Sequence, residues 1–597
     1  MKRAKRLTAS VAAAAILLPT FAPYAAIAAT VPATPIQHVI IIVGENHTFD
    51  NLFGTYQPKN GQKVSNLLSK GIVNADGTPG PNFSLAHQNI GNDVGKYEAK
   101  TPSTSSYAAL PQPYTTSGIG LPPGVPDTRF PDDLPNGPYQ ISKYVPYAAY
   151  TGDPVHRFFQ MWQDWDNGKA DKFVWVEETI GTGSNGNPPP AGGFNPKEGA
   201  ISMGFYNMNP FTDAQGVSQP GDAQVFKQLA DQYAISDNYH QAVMGGTGAN
   251  FQAIVSGDAA FFTDGTGRPG VPFSNQIENP DPLKGTNNYY TQDGYGGGSY
   301  VNCSDQHSPG VNSINDILNS HHVKNNNCAP NTYYLLNNYS MFWNQDGSTN
   351  SLGPNKFVLP AQSNPTIADN LTAHGISWKY YSGDRGNDVT NFANAVDGVP
   401  LLFHSYCGIC DPLTGYASIE TTALKNNLQN YGAFLNDVQS GNLPAVSFVR
   451  PFEALAGHPA DSTTDQYELF IQDLIAKVKA NPALWASTAI FITTDEGGGY
   501  YDSGFIQPVD FFGDGTRIPF IVVSPYSKQG YVDHTYYDHV SLLKFIEANW
   551  SLPPVSNRSR DNLPNPVAAG FNPYVPTNGP AIGDLMNLFD FKHAPHS

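Results

Sequence analysis

A nearly unbroken apolar run close to the start of the chain constrains its fold more than any other feature. Residues 36–43, IQHVIIIV, are mostly β-branched and show no alternation of polar and apolar positions. A strand with this pattern is buried on both faces, which is typical of a parallel sheet covered by helices on both sides. The run therefore predicts an α/β fold.

Helical and strand-like patterns alternate through the rest of the chain and support the same fold class. We predict a mostly parallel central sheet with helices on both faces, long loops, and a single domain over residues 29–597. Residues 264–352 are rich in Gly, Asn, Tyr and Ser, and they form a predicted insertion over the sheet edge or over the functional site. The predicted elements are helix 153–165 and strand 172–176, helix 223–233 and strand 234–236, helix 465–479 and strand 489–492, and strand 518–524 and helix 540–550.

The N-terminus has the pattern of an export signal. Four Lys or Arg side chains fall within the first six residues, an apolar stretch runs from Leu7 to about Leu18, and Ala26-Ile27-Ala28 forms a small-x-small cleavage site. Residues 1–28 are therefore expected to be removed, giving a secreted or periplasmic chain without an integral membrane segment. An uncleaved membrane anchor is the alternative, although the run is short for a span of about 20 residues.

The net charge of the chain limits the classes of partner that it can bind. The 597 residues carry a formal net charge of −18. Such an acidic protein repels phosphate backbones, which argues against nucleic acid as a partner. An anionic substrate would need a local positive centre, and a bound metal ion is one way to supply it.

Four cysteines are present, at positions 303, 328, 407 and 410. In an oxidising compartment an even number suggests two disulfides. Pairing by proximity would join Cys303 to Cys328 and Cys407 to Cys410, but the sequence does not fix the connectivity. The Cys407-Gly-Ile-Cys410 segment also fits a redox CxxC motif or half of a zinc site, although no second such pair follows.

Acidic residues directly follow two of the predicted strands. Glu45-Asn46 comes after the run at 36–43, and Asp495-Glu496 comes after the strand at 489–492. The carboxyl ends of parallel strands face the crevice in which such sheets bind ligands. Hard oxygen donors suit Mg²⁺, Ca²⁺ or Mn²⁺, or Zn²⁺ if histidines join them. Each pair alone also fits a helix cap or a solvated loop, but the adjacent triplet Gly497–Gly499 allows close approach of a substrate and favours a site.

A hydroxyl flanked by glycines provides a candidate nucleophile. Thr247 lies in the segment Gly245-Gly246-Thr247-Gly248, where a strand-to-helix turn would expose its oxygen. Backbone N–H groups after such a turn can hold an anion. A glycine turn with Thr247 as an ordinary helix cap explains the residues equally well.

Six segments that span most of the predicted mature chain occur in the order found in one known family. The chain resembles the phosphoesterase family of bacterial and fungal acid phosphatases and phospholipases C, within the alkaline phosphatase superfamily. The resemblance rests on HVIIIVGENHTFDNLFGTY (38–56), DPVHRFFQMWQ (153–163), DNYHQAVMGGTGAN (237–250), GHPADS (457–462), TTDEGGGYYD (493–502) and the segment 517–550.

The resemblance implies an alkaline-phosphatase-like fold and a metal-dependent mechanism. Carried over to this chain, Thr247 is the nucleophile that forms a covalent phospho-enzyme. The implied metal ligands are Glu45, Asn46, Asp495 and Glu496, together with Thr247. A divalent cation at this place would lower the pKa of the hydroxyl and offset charge on the phosphoryl oxygens.

Histidines are expected to assist, because the leaving group needs a proton and the phosphate needs hydrogen-bond donors. His458 in Gly-His-Pro matches an active-site histidine of the family and is the candidate for acid/base work. His156 matches another that would contact phosphate, and His404 is a candidate for a third. The histidines His47, His534 and His539 are expected to belong to the scaffold.

Three departures from the family pattern bear on the substrate. Ala249-Asn250-Phe251 replaces Pro-Asn-Arg, Ser503 follows the last Asp of the DEGGG motif in place of His, and Ser405 follows His404 where relatives have paired histidines. These differences weaken a phospholipase C assignment and any second metal. A phosphomonoesterase of the acid phosphatase type is therefore expected, acting on a small phosphate ester. A phospholipase C acting on a phospholipid head group is the alternative, and a non-catalytic surface-binding module is a remote one.

Overall fold

The computed structural model describes residues 31–93, 95–115, 125–179, 198–282, 296–386, 405–593 and 595. The predicted export signal lies outside the described residues, and so does His404. An eight-stranded sheet forms the centre of the described molecule. Its strands are β1 (His38–Gly44), β2 (Ala234–Ser236), β3 (Trp378–Ser382), β4 (Leu428–Asn430), β5 (Val446–Arg450), β6 (Thr488–Thr494), β7 (Phe520–Val523) and β8 (Tyr531–Asp533).

The sheet is mostly parallel, as predicted. Its strand order is β4-β3-β5-β1-β6-β7-β2-β8. Neighbouring strands are parallel except on the two sides of β7, which runs antiparallel to both β6 and β2. The apolar run at residues 36–43 forms β1, which lies between β5 and β6 and pairs with a strand on each edge.

Both faces of the sheet are covered, which is why β1 shows no polar alternation. Val39, Ile41 and Val43 pack into one hydrophobic cluster, whereas Ile40 and Ile42 pack into a second cluster on the opposite face. Helices contribute to both clusters. The helices are α1 (Phe49–Phe53), α2 (Phe158–Trp165), α3 (Phe173–Thr179), α4 (Gln224–Gln232), α5 (Thr247–Ser256), α6 (Val311–Ser320), α7 (Ile367–Ala373), α8 (Ala417–Glu420), α9 (Tyr431–Ser440), α10 (Thr464–Lys479), α11 (Pro482–Trp485) and α12 (Ser541–Trp550).

Of two predicted elements around residues 153–176, one starts late and the other is wrong. The predicted helix at 153–165 is present from Phe158, and residues 153–157 before it have no regular secondary structure. The predicted strand at 172–176 is part of helix α3, in which Phe173 to Val176 are all buried. A short, fully buried apolar run has no periodicity that would separate a strand from a helix.

The predicted insertion at 264–352 contributes a short antiparallel ladder, Tyr300–Val301 with Tyr334–Leu335. The Cys303–Cys328 disulfide ties this region together, and a second disulfide joins Cys407 to Cys410, so both expected pairings are present. None of the described helices has the length and apolarity needed to span a bilayer. The remaining short ladders join Asn89–Gly91 to Ser103–Ser106, Tyr139–Gln140 to Gly204–Phe205, Phe211–Thr212 to Ser218–Gln219, Tyr239–His240 to Tyr537–Asp538, and Ala568–Ala569 to Asn572–Pro576.

Candidate active site

The ends of two neighbouring strands gather the predicted acidic residues. Strands β1 and β6 are paired in register up to Gly44 and Thr494, so both strands end at the same level. Glu45-Asn46 and Asp495-Glu496 follow immediately, and all four side chains are buried. Parallel pairing therefore places the two sequence-distant motifs side by side, as expected at the carboxyl edge of such a sheet.

Thr247 begins helix α5, and a folded loop presents its hydroxyl to this edge. The side chain of Asn250 closes the loop by donating to the carbonyl of Gly245 (2.8 Å) and accepting from the N–H of Val243 (3.0 Å). The Thr247 hydroxyl donates to Glu496 Oε1 at 3.0 Å. The candidate nucleophile thus contacts one of the predicted metal ligands directly.

The insertion holds this loop from the other side. Asn338 Oδ1 accepts from the N–H of Gly248 at 2.7 Å. A Cβ atom at Gly245 would lie 1.9 Å from the carbonyl oxygen of Leu336, so this close approach requires glycine. Asn337 also accepts from the N–H of Phe158 (2.9 Å), which connects the insertion to the start of α2. The predicted insertion therefore contacts the nucleophile loop.

Asn46 has a backbone conformation that points to a functional role. Its φ of 53° is left-handed, a region that few residues other than Gly and Asn adopt without strain. Gly498 packs against it so closely that a Cβ atom would lie 2.6 Å from Asn46 Cβ. The amide of Asn46 faces Asp153 Oδ1 at 3.5 Å. Its Oδ1 has no hydrogen-bond partner among the described residues.

His156 reaches the site from the extended segment before α2. Its Nδ1–H donates to the carbonyl oxygen of Pro154 at 2.7 Å. This bond fixes the ring, and Nε2 then lies 3.8 Å from Glu496 Oε1. Asp153, on the same segment, lies 3.9 Å from His156 Nδ1. His156 is thus placed beside the Thr247–Glu496 pair.

His458 lies among carboxylates on the other side of Asp153. Its Nε2 is 3.7 Å from Asp153 Oδ2 and 3.9 Å from Glu45 Oε2. Burial lowers the pKa of His458, but the charges of Asp153 and Glu45 outweigh this effect and raise the pKa to about 10. A histidine with such a pKa is an imidazolium at neutral pH and can donate a proton.

Arg450 is a buried cation that the sequence analysis did not identify. It ends strand β5, next to β1, and its guanidinium contacts Glu45 Oε1 and donates to Glu453 Oε2 at 2.7 Å. The carboxylates of Glu45, Asp495 and Glu496 do not bring three donor oxygens within 4.8 Å of one another in the described structure. Arg450 already engages Oε1 of Glu45 in this structure.

The remaining donor atoms fit a divalent cation. Both carboxylate oxygens of Asp495 and Oε2 of Glu496 are buried without a hydrogen-bond partner among the described residues. Burial and the charge of Glu45 hold the pKa of Asp495 well above its usual range, and burial with the neighbouring Asp495 does the same to the pKa of Glu496. Unpaired buried carboxylates are costly unless a cation neutralises them. With Asn46 Oδ1 they form a set of hard oxygen donors.

The charge count of the site agrees with this fit. Four carboxylates converge, those of Glu45, Asp153, Asp495 and Glu496, and each residue is at most 2% exposed. Arg450 and the His458 imidazolium supply two positive charges. Glu453, which also contacts Arg450, adds a fifth carboxylate, so negative charge exceeds positive charge when these groups are ionised, and a bound cation would offset part of it.

The three histidines expected in the scaffold make hydrogen bonds consistent with that role. His539 accepts from the N–H of Ala242 (3.2 Å) and donates to the carbonyl of Thr494 (3.0 Å), which ties the nucleophile segment to the end of β6. His47 donates to the carbonyl of Gly457 at 3.0 Å, next to His458. Burial lowers the pKa of both His47 and His539 to about 4. The third, His534, pairs with Asp237 at 2.7 Å.

The comparisons with known proteins point to one class. A model of the phosphoesterase family matches residues 36–553. Phospholipase C B of Mycobacterium tuberculosis is 22% identical over 94% of this chain and 79% of its own length. Hemolytic phospholipase C of Pseudomonas aeruginosa is 21% identical over 94% of this chain and 56% of its own length. A probable acid phosphatase of Kluyveromyces lactis is 27% identical over 35% of this chain and 48% of its own length.

A hydroxyl, acidic side chains and histidines lie together at the carboxyl edge of the central sheet, and the family match makes the chain a hydrolase of phosphoric esters. The chain belongs to the phosphoesterase family, whose model covers the sheet and every site residue described above.

Proposed function

We propose that the protein is an exported, divalent-metal-dependent phosphoester hydrolase that works through a covalent phosphothreonine at Thr247. The observation that carries the proposal is the contact of the Thr247 hydroxyl with Glu496, beside carboxylate oxygens that have no other partner. The residues that would hold the cation are Asn46, Asp495 and Glu496 with Thr247, and Glu45 would join them by turning from Arg450. When bound, the cation lowers the pKa of the attacking hydroxyl and offsets phosphoryl charge.

The protein's own groups divide the remaining work. Glu496 accepts the hydrogen bond of the Thr247 hydroxyl and is placed to take its proton as the oxygen attacks phosphorus. Helix α5 starts at Thr247, so its positive N-terminal end faces the charge that develops on the phosphoryl group. His156 is placed to donate to a phosphoryl oxygen. His458, held as an imidazolium, protonates the leaving oxygen, and water then cleaves phosphothreonine in a second displacement.

A phosphate monoester is the proposed substrate class, supported by the departure from Pro-Asn-Arg after the nucleophile. In this chain Asn250 closes the Thr247 loop, and Phe251 is fully buried in the hydrophobic core. No arginine therefore follows the nucleophile to contact a diester. The resemblance to acid phosphatases of the alkaline phosphatase superfamily also supports a phosphate monoester as the substrate.

A phosphodiester of the phospholipase C type is the second candidate. The relatives that match 94% of the chain carry that name. A cavity of about 910 Å³ also lies beside the site, lined by Trp343, Tyr406, Glu453 and Asp461. Aromatic and acidic side chains of this kind can receive a cationic head group.

Steady-state kinetics with two substrates test the proposal. We expect the mature chain to hydrolyse p-nitrophenyl phosphate faster than p-nitrophenyl phosphorylcholine. Thr247→Ala should lower kcat by several orders of magnitude on either substrate, whereas Thr247→Ser, which keeps a hydroxyl, should retain activity. Faster cleavage of the choline diester would select the second candidate. Wild-type rates in Thr247→Ala would contradict the assigned nucleophile.

A further inference from the structure

The Cys407–Cys410 disulfide lies against Glu45, although nothing in the proposed reaction uses it. Cys410 Sγ is 3.2 Å from Glu45 Oε1, and Cys410 is fully buried. Cys407 is partly exposed and lines the 910 Å³ cavity. Cys407 therefore borders the cavity, while the sulfur of Cys410 faces a carboxylate.

Donor atoms of these three residues lie close enough together to share one cation. One carboxylate oxygen of Glu45 and the sulfurs of Cys407 and Cys410 all lie within 4.8 Å of one another. Two residues separate the two cysteines, a spacing typical of structural zinc sites. A backbone hydrogen bond from Cys410 N–H to the Cys407 carbonyl (3.2 Å) holds both sulfurs on one side of the turn.

We infer that reduction of this disulfide creates a binding site for a soft divalent cation, Zn²⁺ or Cd²⁺, formed by Cys407, Cys410 and Glu45. The sulfurs cannot act as thiolate ligands while they are bonded to each other. The site is therefore latent in the oxidised protein and forms only after reduction.

The reduction balances with a small dithiol as the reductant. A thiolate of the dithiol attacks Cys407 Sγ from the cavity, breaks the Cys407–Cys410 bond and forms a mixed disulfide. The second sulfur of the dithiol then displaces Cys407, so the reductant leaves as a cyclic disulfide. Two electrons and two protons pass to the protein sulfurs. The cation then binds as the two thiols release their protons.

The charge and softness of the ligands favour this cation over the hard ions proposed for Asp495 and Glu496. Two thiolates and Glu45 carry three negative charges, and the adjacent Arg450 carries one positive charge. Arg450 also pairs with Glu453, so the group is net negative and a divalent cation would offset two of its charges. Thiolate ligands select Zn²⁺ and other soft ions, whereas carboxylate oxygens suit Mg²⁺, Ca²⁺ and Mn²⁺.

Cation binding at the reduced cysteines should also affect hydrolysis, an effect that rests on the proposed function. Glu45 belongs both to the latent site and to the proposed catalytic cation site. A cation held by the two thiolates would keep Glu45 from the catalytic cation. Reduced protein should therefore lose hydrolytic activity on addition of Zn²⁺, whereas oxidised protein should not.

The direct test reads cadmium–sulfur coordination and needs no substrate. Wild-type protein is reduced with dithiothreitol, freed of reductant without oxygen and titrated with Cd²⁺ while the ultraviolet cadmium–thiolate charge-transfer band is recorded. The matched control is Cys407→Ser/Cys410→Ser, which keeps the Cys303–Cys328 pair, and circular dichroism checks that it folds. The reductant can also open Cys303–Cys328, so we expect a stronger band in reduced wild type than in the equally reduced control, and no band in oxidised wild type.

The carboxylate ligand is tested in the same titration. Glu45→Gln should weaken Cd²⁺ binding by at least about 10-fold, the lower end of what losing even an indirect partner of a metal costs. A band of equal strength in Cys407→Ser/Cys410→Ser would overturn the inference, and so would Cd²⁺ affinity that Glu45→Gln leaves unchanged. The titration measures no turnover, so its results can be interpreted even if the proposed phosphoester hydrolysis is wrong.

Discussion

Asp495→Asn should stabilise the metal-free protein and destabilise the metal-bound protein. Asp495 is fully buried, and neither of its carboxylate oxygens has a hydrogen-bond partner among the described residues. The one proton of the Thr247 hydroxyl goes to Glu496, so it does not satisfy Asp495 as well. The isosteric amide removes a carboxyl group whose ionised form burial disfavours and, with it, one ligand of the proposed cation.

The expected shifts are small but opposite in sign. Relieving an unsatisfied buried group is worth about 1–3 kcal/mol. An unfolding entropy of about 2.1 cal/mol/K per residue gives the 597-residue chain a change of about 0.8 °C in Tm per kcal/mol. The variant should therefore melt about 1–2 °C above wild type in chelator. A cation at 100 times its Kd adds about 2.7 kcal/mol, or about 2 °C, to wild type and much less to the variant.

The pH dependence of the metal-free protein follows from the same carboxyl group. Since the folded-state pKa of Asp495 is raised, the folded protein keeps a proton that the unfolded chain has released. Stability of metal-free wild type should therefore fall as pH rises from the ordinary carboxyl pKa of 3.8 through the raised value. Asp495→Asn should flatten this part of the profile.

Differential scanning fluorimetry in chelator and in each of Mg²⁺, Ca²⁺, Mn²⁺ and Zn²⁺ measures both shifts. The matched control is Asp502→Asn, because this nearby buried carboxylate is paired with Arg517 at 2.8 Å and the ion pair keeps its pKa below the usual value. The control should melt lower than wild type with or without cation. A lower Tm for Asp495→Asn in chelator, or a cation shift equal to that of wild type, would refute the reasoning.

Three further predictions follow from neighbouring residues. Asp153→Asn should lower the pKa of His458, because a neighbouring negative charge is removed. Since the proton donor is lost as pH rises through that pKa, the alkaline limb of the kcat/KM profile should move to lower pH by roughly 1 unit. An alkaline limb that does not move would exclude His458 as the acid. Arg450→Met should cost about 3–5 kcal/mol in chemical denaturation, because Glu45 loses its buried partner. Asn338→Ala should cost about 1–3 kcal/mol and lower kcat more than it changes KM, because the nucleophile loop loses an acceptor; a change in KM alone would contradict this.

The sequence predicted four of the eight sheet strands, β1, β2, β6 and β7, from local pattern, whereas β3, β4, β5 and β8 were not predicted. Each acidic motif directly follows its own strand in the sequence, β1 or β6, so parallel pairing of the two strands was enough to bring the motifs together. The Thr247 turn was identified in the same way, from contiguous glycines. Each of these features is defined by a few consecutive residues, so it can be identified from the sequence.

The parts of the site that the sequence did not reveal depend on long-range contacts. Arg450 ends an ordinary buried strand, and its partner Glu45 lies 405 residues away. Asp153 fell within a predicted helix, so its extended segment and its approach to His458 were missed. Asn337 and Asn338 lie among many asparagines in the insertion, where no pattern marks them.

Trapping the phospho-enzyme tests the central claim most directly. The protein is mixed with p-nitrophenyl phosphate, quenched in acid within the first turnover and digested for peptide mass spectrometry. A covalent phosphothreonine mechanism predicts one phosphate on the peptide that contains Thr247, and its absence in Thr247→Ala. Burst release of nitrophenol with phosphate on a different residue, or with no phosphopeptide at all, would contradict Thr247 as the nucleophile.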